Sequence, residues 1–405
     1  MSVLLLIIGL ILFIGLVVIH EFGHFIAARR GGVDVEEFGI FFPPRLFKYK
    51  TKGGWNFTIN ALPLGGFVKL KGEHDTDTEK GSYGAADLKT KTKIMAAGVV
   101  MNLLTAFVLL SFLALIGLPK LINNQFTVKS DTKISSQKVL IGGIEDKSPA
   151  AKAGLKSADQ LVAIGPKGQA LTVVNDANKL PQLTKQYAGQ DVTINYRRNG
   201  GPVRSTTASL TSDSVVQASR KKYDKDYAAA KSCQNVKPPV GYLGISPSIY
   251  ETRTSTWSAP ITAIGFSAQI TKLTFQGLGS AVGGLGSIIA GTVTNNTTAR
   301  QNGQCSASSQ VSGPVGIFFV LKAGSALGVR YMLLIIAIIS LTLAIMNILP
   351  IPALDGGRLW LTLISRGLLK KPLSAQREER INATGFVTLL LLIAVITFVD
   401  IKRFF

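Results

Sequence analysis

Charged residues are scarce in this sequence: Asp, Glu, Lys and Arg make up 17% of the 405 residues, against 47% apolar residues. The apolar residues stand in long uncharged runs without the period of half-buried helices or strands, which argues against an ordinary soluble protein. Acidic residues are the scarcer charged type, 23 against 44 Lys and Arg, which leaves a formal net charge of +21. Because the basic residues flank apolar runs and form no stripe with interleaved aromatic residues, we expect a membrane protein and no nucleic-acid partner.

Cysteine and histidine are also scarce, with two and three residues. Cys233 and Cys305 are too few and too far apart for a zinc ribbon or a disulfide-rich scaffold. Two of the histidines, His20 and His24, stand four residues apart, and His74 lies in a polar stretch that is typical of a solvated loop.

Four uncharged segments are long enough to cross a hydrocarbon core of roughly 30 Å, which takes about 20 residues. They are Ser2 to Ile19, Ile94 to Leu118, Tyr331 to Leu354 and Ile381 to Val399. Basic residues follow the first segment and separate the third from the fourth, which predicts that these ends face the cytoplasm. Both termini and the long stretch between the second and third segments are then outside.

The motif His20-Glu21-Phe22-Gly23-His24 follows the first segment on what should be one continuous helix. Residues i and i+4 share a helix face, so both imidazoles can bind one Zn²⁺ while Glu21 takes a proton from a water at the metal. The alternative is a purely structural histidine pair at a helix end, which three ionisable groups at membrane depth make costly.

A third zinc ligand is predicted at Asp355, near the end of the third segment. Two prolines before it, Pro350 and Pro352, and the pair Gly356-Gly357 after it should unwind the helix there. Irregular backbone at that depth is tolerated where it lines a water-filled cavity. Alternatively, Asp355 only caps the next element.

The stretch 254–299 carries a single charge, Lys272, and can be interpreted as a fifth span or as a surface-lying or tightly packed helix. A fifth span would put His24 and Asp355 on opposite sides of the membrane, which zinc bonds of about 2 Å cannot bridge. The metal site therefore favours four spans.

These residues resemble the site-2 protease family of zinc intramembrane metalloproteases, in its bacterial regulator-of-sigma-E type, over most of the chain. Further matching pieces are Leu62–Lys69, Ala96-Ala97-Gly98 with Asn102, Ser312–Gly316 and Ile381–Asp400. The resemblance implies one zinc ion on His20, His24 and Asp355, Glu21 as general base and Asn347 as a substrate-holding group. It also implies single-span membrane substrates, such as anti-sigma factors or signal-peptide remnants, and a bacterial cell membrane.

The stretch from Trp55 to Leu70 alternates apolar and polar residues around Gly65 and Gly66, which predicts a β-hairpin over about 54–72. The resemblance suggests that the hairpin re-enters the membrane beside the active site, where Gly65, Gly66 and Phe67 bind substrate by strand addition. A hairpin on the cytoplasmic surface is the alternative.

In the exterior region, Gly143 to Ile164 looks like the core of a PDZ domain, with Ala158 in place of the usual Gly. The sequence Tyr242-Leu243-Gly244-Ile245, after Gly241, resembles the loop and strand that capture peptide termini, in a permuted order. The module either binds peptides or partner ectodomains, or only limits the size of ectodomain that reaches the membrane. Since Cys233 and Cys305 both lie outside, a disulfide between them is also predicted.

The predicted fold is an α-helical polytopic membrane protein with four transmembrane helices, a membrane-associated β-hairpin and an extracytoplasmic α+β PDZ domain. The expected units are residues 1–118 and 330–405 as halves of the protease core, 119–253 as the PDZ domain with an insertion at about 211–239, and 254–329 as a helical segment at the membrane surface. The expected function is zinc-dependent intramembrane proteolysis. The alternative is a catalytically inactive, membrane-anchored PDZ scaffold.

Overall fold

The computed structural model describes residues 2–229, 238–310, 313–371 and 373–404. The helices are α1 (Ser2–Arg30), α2 (Leu88–Ile116), α3 (Pro149–Lys152), α4 (Leu180–Gln186), α5 (Asp213–Ala229), α6 (Ala259–Val293), α7 (Thr297–Gln310), α8 (Pro314–Leu327), α9 (Val329–Ile348), α10 (Asp355–Thr362), a π-helix (Leu363–Leu368) and α11 (Ala375–Phe404). The strands are β1 (Val35–Lys50), β2 (Asn56–Leu70), β3 (Leu118–Pro119), β4 (Lys133–Ile144), β5 (Gln160–Pro166), β6 (Thr172–Val173), β7 (Asp191–Arg197), β8 (Val203–Ser209) and β9 (Ile245–Thr254).

The chain is a mostly helical, multi-pass membrane protein with β-sheets. Among the described residues, five helices are long and apolar enough to cross a membrane: α1, α2, α6, α9 and α11. Four of them, α1, α2, α9 and α11, cover most of the four predicted segments, although α2 ends at Ile116 and α9 at Ile348. Length and composition alone do not separate the fifth, α6, from the others, so the predicted count of four spans rests on other observations.

Helix α2 lies at the centre of the bundle and packs against α1, α6 and α9. Its side chains Leu110 and Leu113 are fully buried in an apolar cluster that includes Leu334 of α9 and Phe266 of α6. The first turns of α6 therefore pack against the bundle, and Phe266 has no exposed surface. The placement of residues 254–329 at the membrane surface stays a prediction.

The segment α6–α8 begins and ends at the same end of the bundle. Just before α6, the N–H of Ser255 donates to the carbonyl of Ala114 in the last turn of α2, at 2.7 Å. After α8, Arg330 lies beside Gly117, where an added Cβ would stand 3.0 Å from Nη1 of Arg330. Between these points α7 packs against α6.

The motif at Gly313 to Gly316 forms the start of α8 and binds the far end of α11. The carboxylate oxygen Oδ2 of Asp400 accepts hydrogen bonds from the N–H groups of Gly313 and Gly316, each at 2.8 Å. Asp400 is 1% exposed. A helix start offers unpaired N–H groups and a partial positive charge, so it can hold a buried carboxylate.

Helix α9 ends at Ile348, as Pro350 and Pro352 predict, and the backbone is extended at Leu349. Helix α10 then starts at Asp355 and packs directly on this unwound segment. An added Cβ at Gly356 would stand 2.2 Å from the carbonyl oxygen of Leu349. Only glycine allows this approach.

A buried ion cluster holds the polar loop before α2 against the π-helix that follows α10. Asp75 binds Lys91 of α2 and, at 2.8 Å, Nε of Arg366 in the π-helix. Burial raises the pKa of Asp75, but the hydrogen bonds from Lys91 and Arg366 outweigh it, so that the pKa lies below its ordinary value. The cluster fixes the end of α10 relative to α2.

Strands β1 and β2 form the first sheet, and the predicted hairpin is wrong in its pairing. Residues 66–70 pair with 35–40, and residues 56–60 pair with 45–50. Residues 37–40 also pair with residues 56–59, and the two segments run in the same direction. The segment 37–40 therefore lies between residues 56–60 and 66–70, which were expected to pair with each other as the arms of a hairpin. Strand β1 supplies the partners of both segments, and Gly39, which has no side chain, accommodates the Phe67 ring against this strand.

The region between α2 and α6, which is predicted to lie outside and is called the exterior region below, contains a seven-stranded sheet in the order β3-β9-β4-β5-β7-β8, with β6 beside β5. Its core, which includes Val139, Ile141, Leu161 and Ile194, lies on one face under α4. The last strand along the chain, β9, pairs with β4 in the middle of the sheet, which the predicted permuted order requires. The assignment as a PDZ domain stays a prediction.

Cys233 lies outside the described residues. The Cys233–Cys305 disulfide therefore also stays a prediction.

Ala158, where the PDZ pattern has Gly, adopts a φ of 67°. A Cβ in this left-handed region costs about 1–2 kcal/mol, which exceeds the extra entropy that glycine loses on folding. We expect Ala158→Gly to raise the free energy of unfolding of the exterior region by roughly 0.5–1 kcal/mol. Hydrogen exchange of β5 amides in the full-length protein measures it.

The matched control is Ala153→Gly, since Ala153 has a φ of −76° and offers no strain to relieve. That change should lower the stability. Equal effects of the two changes would contradict the assignment of strain to Ala158.

Candidate metal centre

Helix α1 directs His20 and His24 toward α2 and α10, one helical turn apart. Each residue is 7% exposed. The two Nε2 atoms are 3.3 Å apart, and they lie 2.8 Å and 3.0 Å from Oδ2 of Asp355 at the start of α10. The structure thus brings together three side chains that are 331 and 335 positions apart in the chain.

This donor set fits a zinc ion. Two imidazole nitrogens and one carboxylate oxygen are the ligands of many catalytic zinc sites, which keep a fourth position open. Zinc bonds of about 2.0–2.1 Å in a tetrahedron put ligand atoms roughly 3.3 Å apart. The observed separations of 2.8–3.3 Å are close to that value, so that a small adjustment of the side chains would accommodate the ion.

A second set of hydrogen bonds orients both imidazoles. Nδ1 of His24 donates to the carbonyl of Ile94 at 2.7 Å, which leaves Nε2 free for a metal. Nδ1 of His20 lies 3.1 Å from the side-chain amide of Asn102, which is fully buried. The oxygen of that amide has no partner within the described chain, and turning the amide gives it the Nδ1–H of His20. Asn102 then sets the tautomer that binds metal.

Gly98 of α2 forms the wall behind the two histidines. An added Cβ would stand 2.4 Å from Nε2 of His24 and 2.6 Å from Nε2 of His20. In the same contact, an added Cβ at Gly23 of α1 would stand 2.6 Å from the carbonyl oxygen of Ala97. The two helices can approach this closely only because both positions are glycine.

Glu21 lies on α1 between the metal-binding side chains and the first sheet. Its carboxylate is close enough to His20, His24 and Asp355 to interact with them electrostatically. It also accepts a hydrogen bond from the Val68 backbone. Glu21 is thus placed between the candidate metal and the end of the sheet.

The first sheet presents its Gly-rich segment to Glu21. An added Cβ at Gly66 would stand 3.2 Å from Cγ of Glu21. Phe67 stacks on Phe42, with ring centroids 6.2 Å apart, and the neighbouring Gly65 also lies against Phe42. Of the predicted substrate-binding residues, Gly66 is therefore adjacent to the candidate base.

The other predicted residues lie elsewhere. Asn347 is half-buried in the last turn of α9, and its side chain forms no hydrogen bond within the described chain. Tyr242, Leu243, Gly244 and Ile245 lie in the exterior region, where they line a small cleft with Arg220 and α4. His74 is exposed in a loop, as expected.

The loop from Gly241 to Gly244 uses its carbonyl groups, but not its N–H groups, in backbone hydrogen bonds with the described chain. Its carbonyls at Tyr242, Leu243 and Gly244 accept hydrogen bonds from other segments. Within the described chain, no hydrogen bond from the N–H groups of this loop is recorded. Leu243 itself is part of the core.

The sequence alone predicts no role in the metal centre for Gly98 or Asn102. Both face the histidines from another helix, and only the contact between α1 and α2 reveals this. The signal in the sequence that could have identified them is their spacing of four residues, which puts both on one face of α2.

Comparison with known proteins adds a family assignment. The profile of Peptidase family M50 matches residues 8–392. A putative zinc metalloprotease of Clostridium perfringens is 27% identical, over 97% of this chain and 97% of its own. The zinc metalloprotease RasP of Shouchella clausii and the probable protease Eep of Enterococcus faecalis are each 25% identical, over 96% of this chain and 97% of theirs.

Substitution of Gly98 should disrupt the metal centre without unfolding the helices. In Gly98→Ala the added methyl group displaces both imidazoles, and we expect zinc affinity to fall by about tenfold or more. Chelator competition on purified protein measures the affinity, and circular dichroism checks the helix content.

Gly15→Ala in α1 is the matched control, because an added Cβ there meets no atom within 4 Å. It should bind zinc as the unchanged protein does. Normal zinc affinity in Gly98→Ala would show that the histidines do not sit against Gly98 when metal is bound.

Proposed function

The chain belongs to Peptidase family M50, and from that premise we propose that it is a zinc-dependent intramembrane endopeptidase of bacterial cell membranes. Its proposed substrates are single-span membrane proteins, cut within or near the membrane segment. The convergence of His20, His24 and Asp355 inside a bundle of apolar helices carries this proposal. A metal centre there has no evident use in a protein that acts only outside the membrane.

His20, His24 and Asp355 would hold the zinc ion, and Asn102 keeps His20 in the tautomer that can bind it. A zinc ion held there would supply Lewis-acid chemistry, lowering the pKa of a water molecule and polarising the scissile carbonyl. Glu21 takes the proton of the attacking water and passes it to the leaving amine as the peptide bond breaks. Its position between the histidines and Gly66 supports this role.

A substrate helix must unwind before its carbonyls become accessible, since helical hydrogen bonds occupy them. Residues 66–70 form the end of the first sheet, because the described strands pair with them on one side only. Their free backbone edge can bind the extended substrate by strand addition. Gly66 allows the approach, and Asn347, whose side chain has no hydrogen-bond partner in the described chain, can bind a substrate carbonyl.

The exterior region is proposed to act as a PDZ module. The loop of Tyr242 to Gly244, with its unused N–H groups, supports binding of a peptide terminus or a partner ectodomain. A role as a size filter above the membrane core remains the alternative, and neither role changes the chemistry at Glu21.

We further propose four spans, with both termini and the exterior region outside and the metal centre toward the cytoplasm. In this topology α6, α7 and α8 enter and leave on the outer side. The contacts of Ser255 with Ala114, and of Arg330 with Gly117, support it, since both lie at the same end of α2.

The substitution Glu21→Gln tests the proposed chemistry, because glutamine keeps the shape but cannot accept the proton. We expect cleavage of a tagged single-span substrate in membranes to fall at least about 1000-fold, while the protein retains about one zinc per chain. Product formation and zinc content are measured on the same preparations.

Glu79→Gln, at an exposed position of the loop that contains His74, is the matched control and should cleave normally. Cleavage by the Glu21→Gln protein would rule out Glu21 as the base. If neither the native chain nor the variants cleave and none binds zinc, the inactive scaffold becomes the better description.

The topology is tested by labelling single cysteines in an otherwise cysteine-free chain. Lys120→Cys and Arg253→Cys should react with a membrane-impermeant thiol reagent from outside, and Lys370→Cys only after the membrane is opened. Labelling of the Lys120→Cys and Lys370→Cys variants from the same side would contradict the four-span arrangement.

A further inference from the structure

The exterior sheet has a second face, opposite its core, that is turned toward the membrane helices. Along β4, Val139 and Ile141 point into the core, so the alternate residues Lys138 and Leu140 lie on the other face. Residues that pair across neighbouring strands share a face of the sheet. Tyr250 pairs with Lys138, Gln160 pairs with Leu140, and Arg197 pairs with Gln160, so all five side chains lie on this second face.

This face and the ends of membrane helices enclose a cleft of about 220 Å³, which we call the junction cleft. From the sheet it is lined by the side chains just named, and from the membrane part by Leu5 of α1 and the stretch Ser325–Gly328 at the end of α8. Because α1 and α9 are apolar spans that end here, the cleft lies at the depth of the lipid headgroups.

The junction cleft carries positive charge without acidic partners. Neither Lys138 nor Arg197 forms an ion pair in the described part of the chain. The adjacent Arg198, by contrast, binds Asp159 at 2.7 Å on the core side. Two unpaired cations therefore face a region where phosphate groups of lipids lie.

The apolar side of the cleft is continuous with lipid-facing surface. Leu5 belongs to the first turns of α1, where Val3 and Leu4 are 69% and 61% exposed. Tyr250 and Tyr331, with ring centroids 6.3 Å apart, flank the same level. Tyrosines with one apolar and one wet end are typical of the membrane boundary.

We propose that the junction cleft binds the phosphate headgroup of an anionic phospholipid. Lys138 and Arg197 contact the phosphate oxygens, Gln160 and the hydroxyl of Tyr250 supply hydrogen bonds, and the acyl chains run along Leu5 into the bilayer. The lipid thereby ties the exterior sheet to the membrane helices.

An acidic peptide fits this cleft less well than a lipid. At the cleft, Leu140 of β4 pairs with both β9 and β5, and Gln160 of β5 pairs with both β4 and β7. An extended peptide would thus find no free strand edge beside Leu140 and Gln160 for its backbone groups. A headgroup needs only the side chains.

The test compares native full-length protein with Lys138→Gln/Arg197→Gln in nanodiscs of phosphatidylcholine containing phosphatidylglycerol. Native mass spectrometry after release counts the bound phosphatidylglycerol. We expect its retention to fall about tenfold in the double variant. Lys152→Gln/Arg204→Gln removes the same charge from exposed positions that do not line the cleft, and should retain lipid as the native protein does.

A charge-preserving variant, Lys138→Arg/Arg197→Lys, guards against loss by misfolding and should keep most of the lipid. Equal retention by the native protein and the Lys138→Gln/Arg197→Gln variant would overturn the proposal. So would displacement of phosphatidylglycerol by an acidic peptide. In detergent, inorganic phosphate that stabilises the native protein as much as phosphatidylglycerol does would identify a free-phosphate site instead of a lipid site.

Discussion

The close contact between α1 and α2 at Gly23 and Gly98 determines where every part of the metal centre stands. Side chains normally keep two helix axes about 8–10 Å apart, and two imidazoles between the helices would ordinarily widen the gap. Here the glycines remove the side chains that would compete with the histidines for space. Small residues are the usual means by which membrane helices approach closely, since no hydrophobic force drives them together in lipid.

Given this contact, the rest of the fold positions the carboxylate. Asp355 does not belong to a continuous membrane helix, because the chain unwinds after Ile348 and a new helix, α10, starts at Asp355. The unwound turn after Ile348 is held by its contact with Gly356 on one side. The ion cluster around Asp75 holds the far end of α10 through Arg366. Burial makes such charges costly unless they are paired, and here the pairing also rigidifies the segment that carries the ligand.

The sequence predicted the site better than its surroundings. Two signals depend on local geometry alone and can be recognised without the fold. They are the spacing of four residues between His20 and His24, and the prolines before Asp355. Helix α2, however, starts at Leu88, six residues before the predicted Ile94. The predicted segment contains only uncharged residues and therefore leaves out Lys91. Only the fold shows that Lys91 is neutralised by an ion pair with Asp75.

Other features depend on contacts between distant segments. The strand 35–50 carries Pro43-Pro44 and no regular alternation, so the partner of residues 66–70 was not recognised. The orienting role of Asn102 requires its neighbour His20, 82 positions away. The position of α6 is set by the packing of Phe266, because its composition suits a surface helix and a buried one equally.

The separation of 335 positions between His20 and Asp355 also has a consequence during biosynthesis. At about 5–20 residues per second, the ribosome needs roughly 17–67 s to pass from the first ligand to the last. During that interval the histidines are already in the membrane, but a complete metal centre does not exist. A nascent chain that is released before Asp355 is made therefore lacks one of the three side chains that form the metal centre.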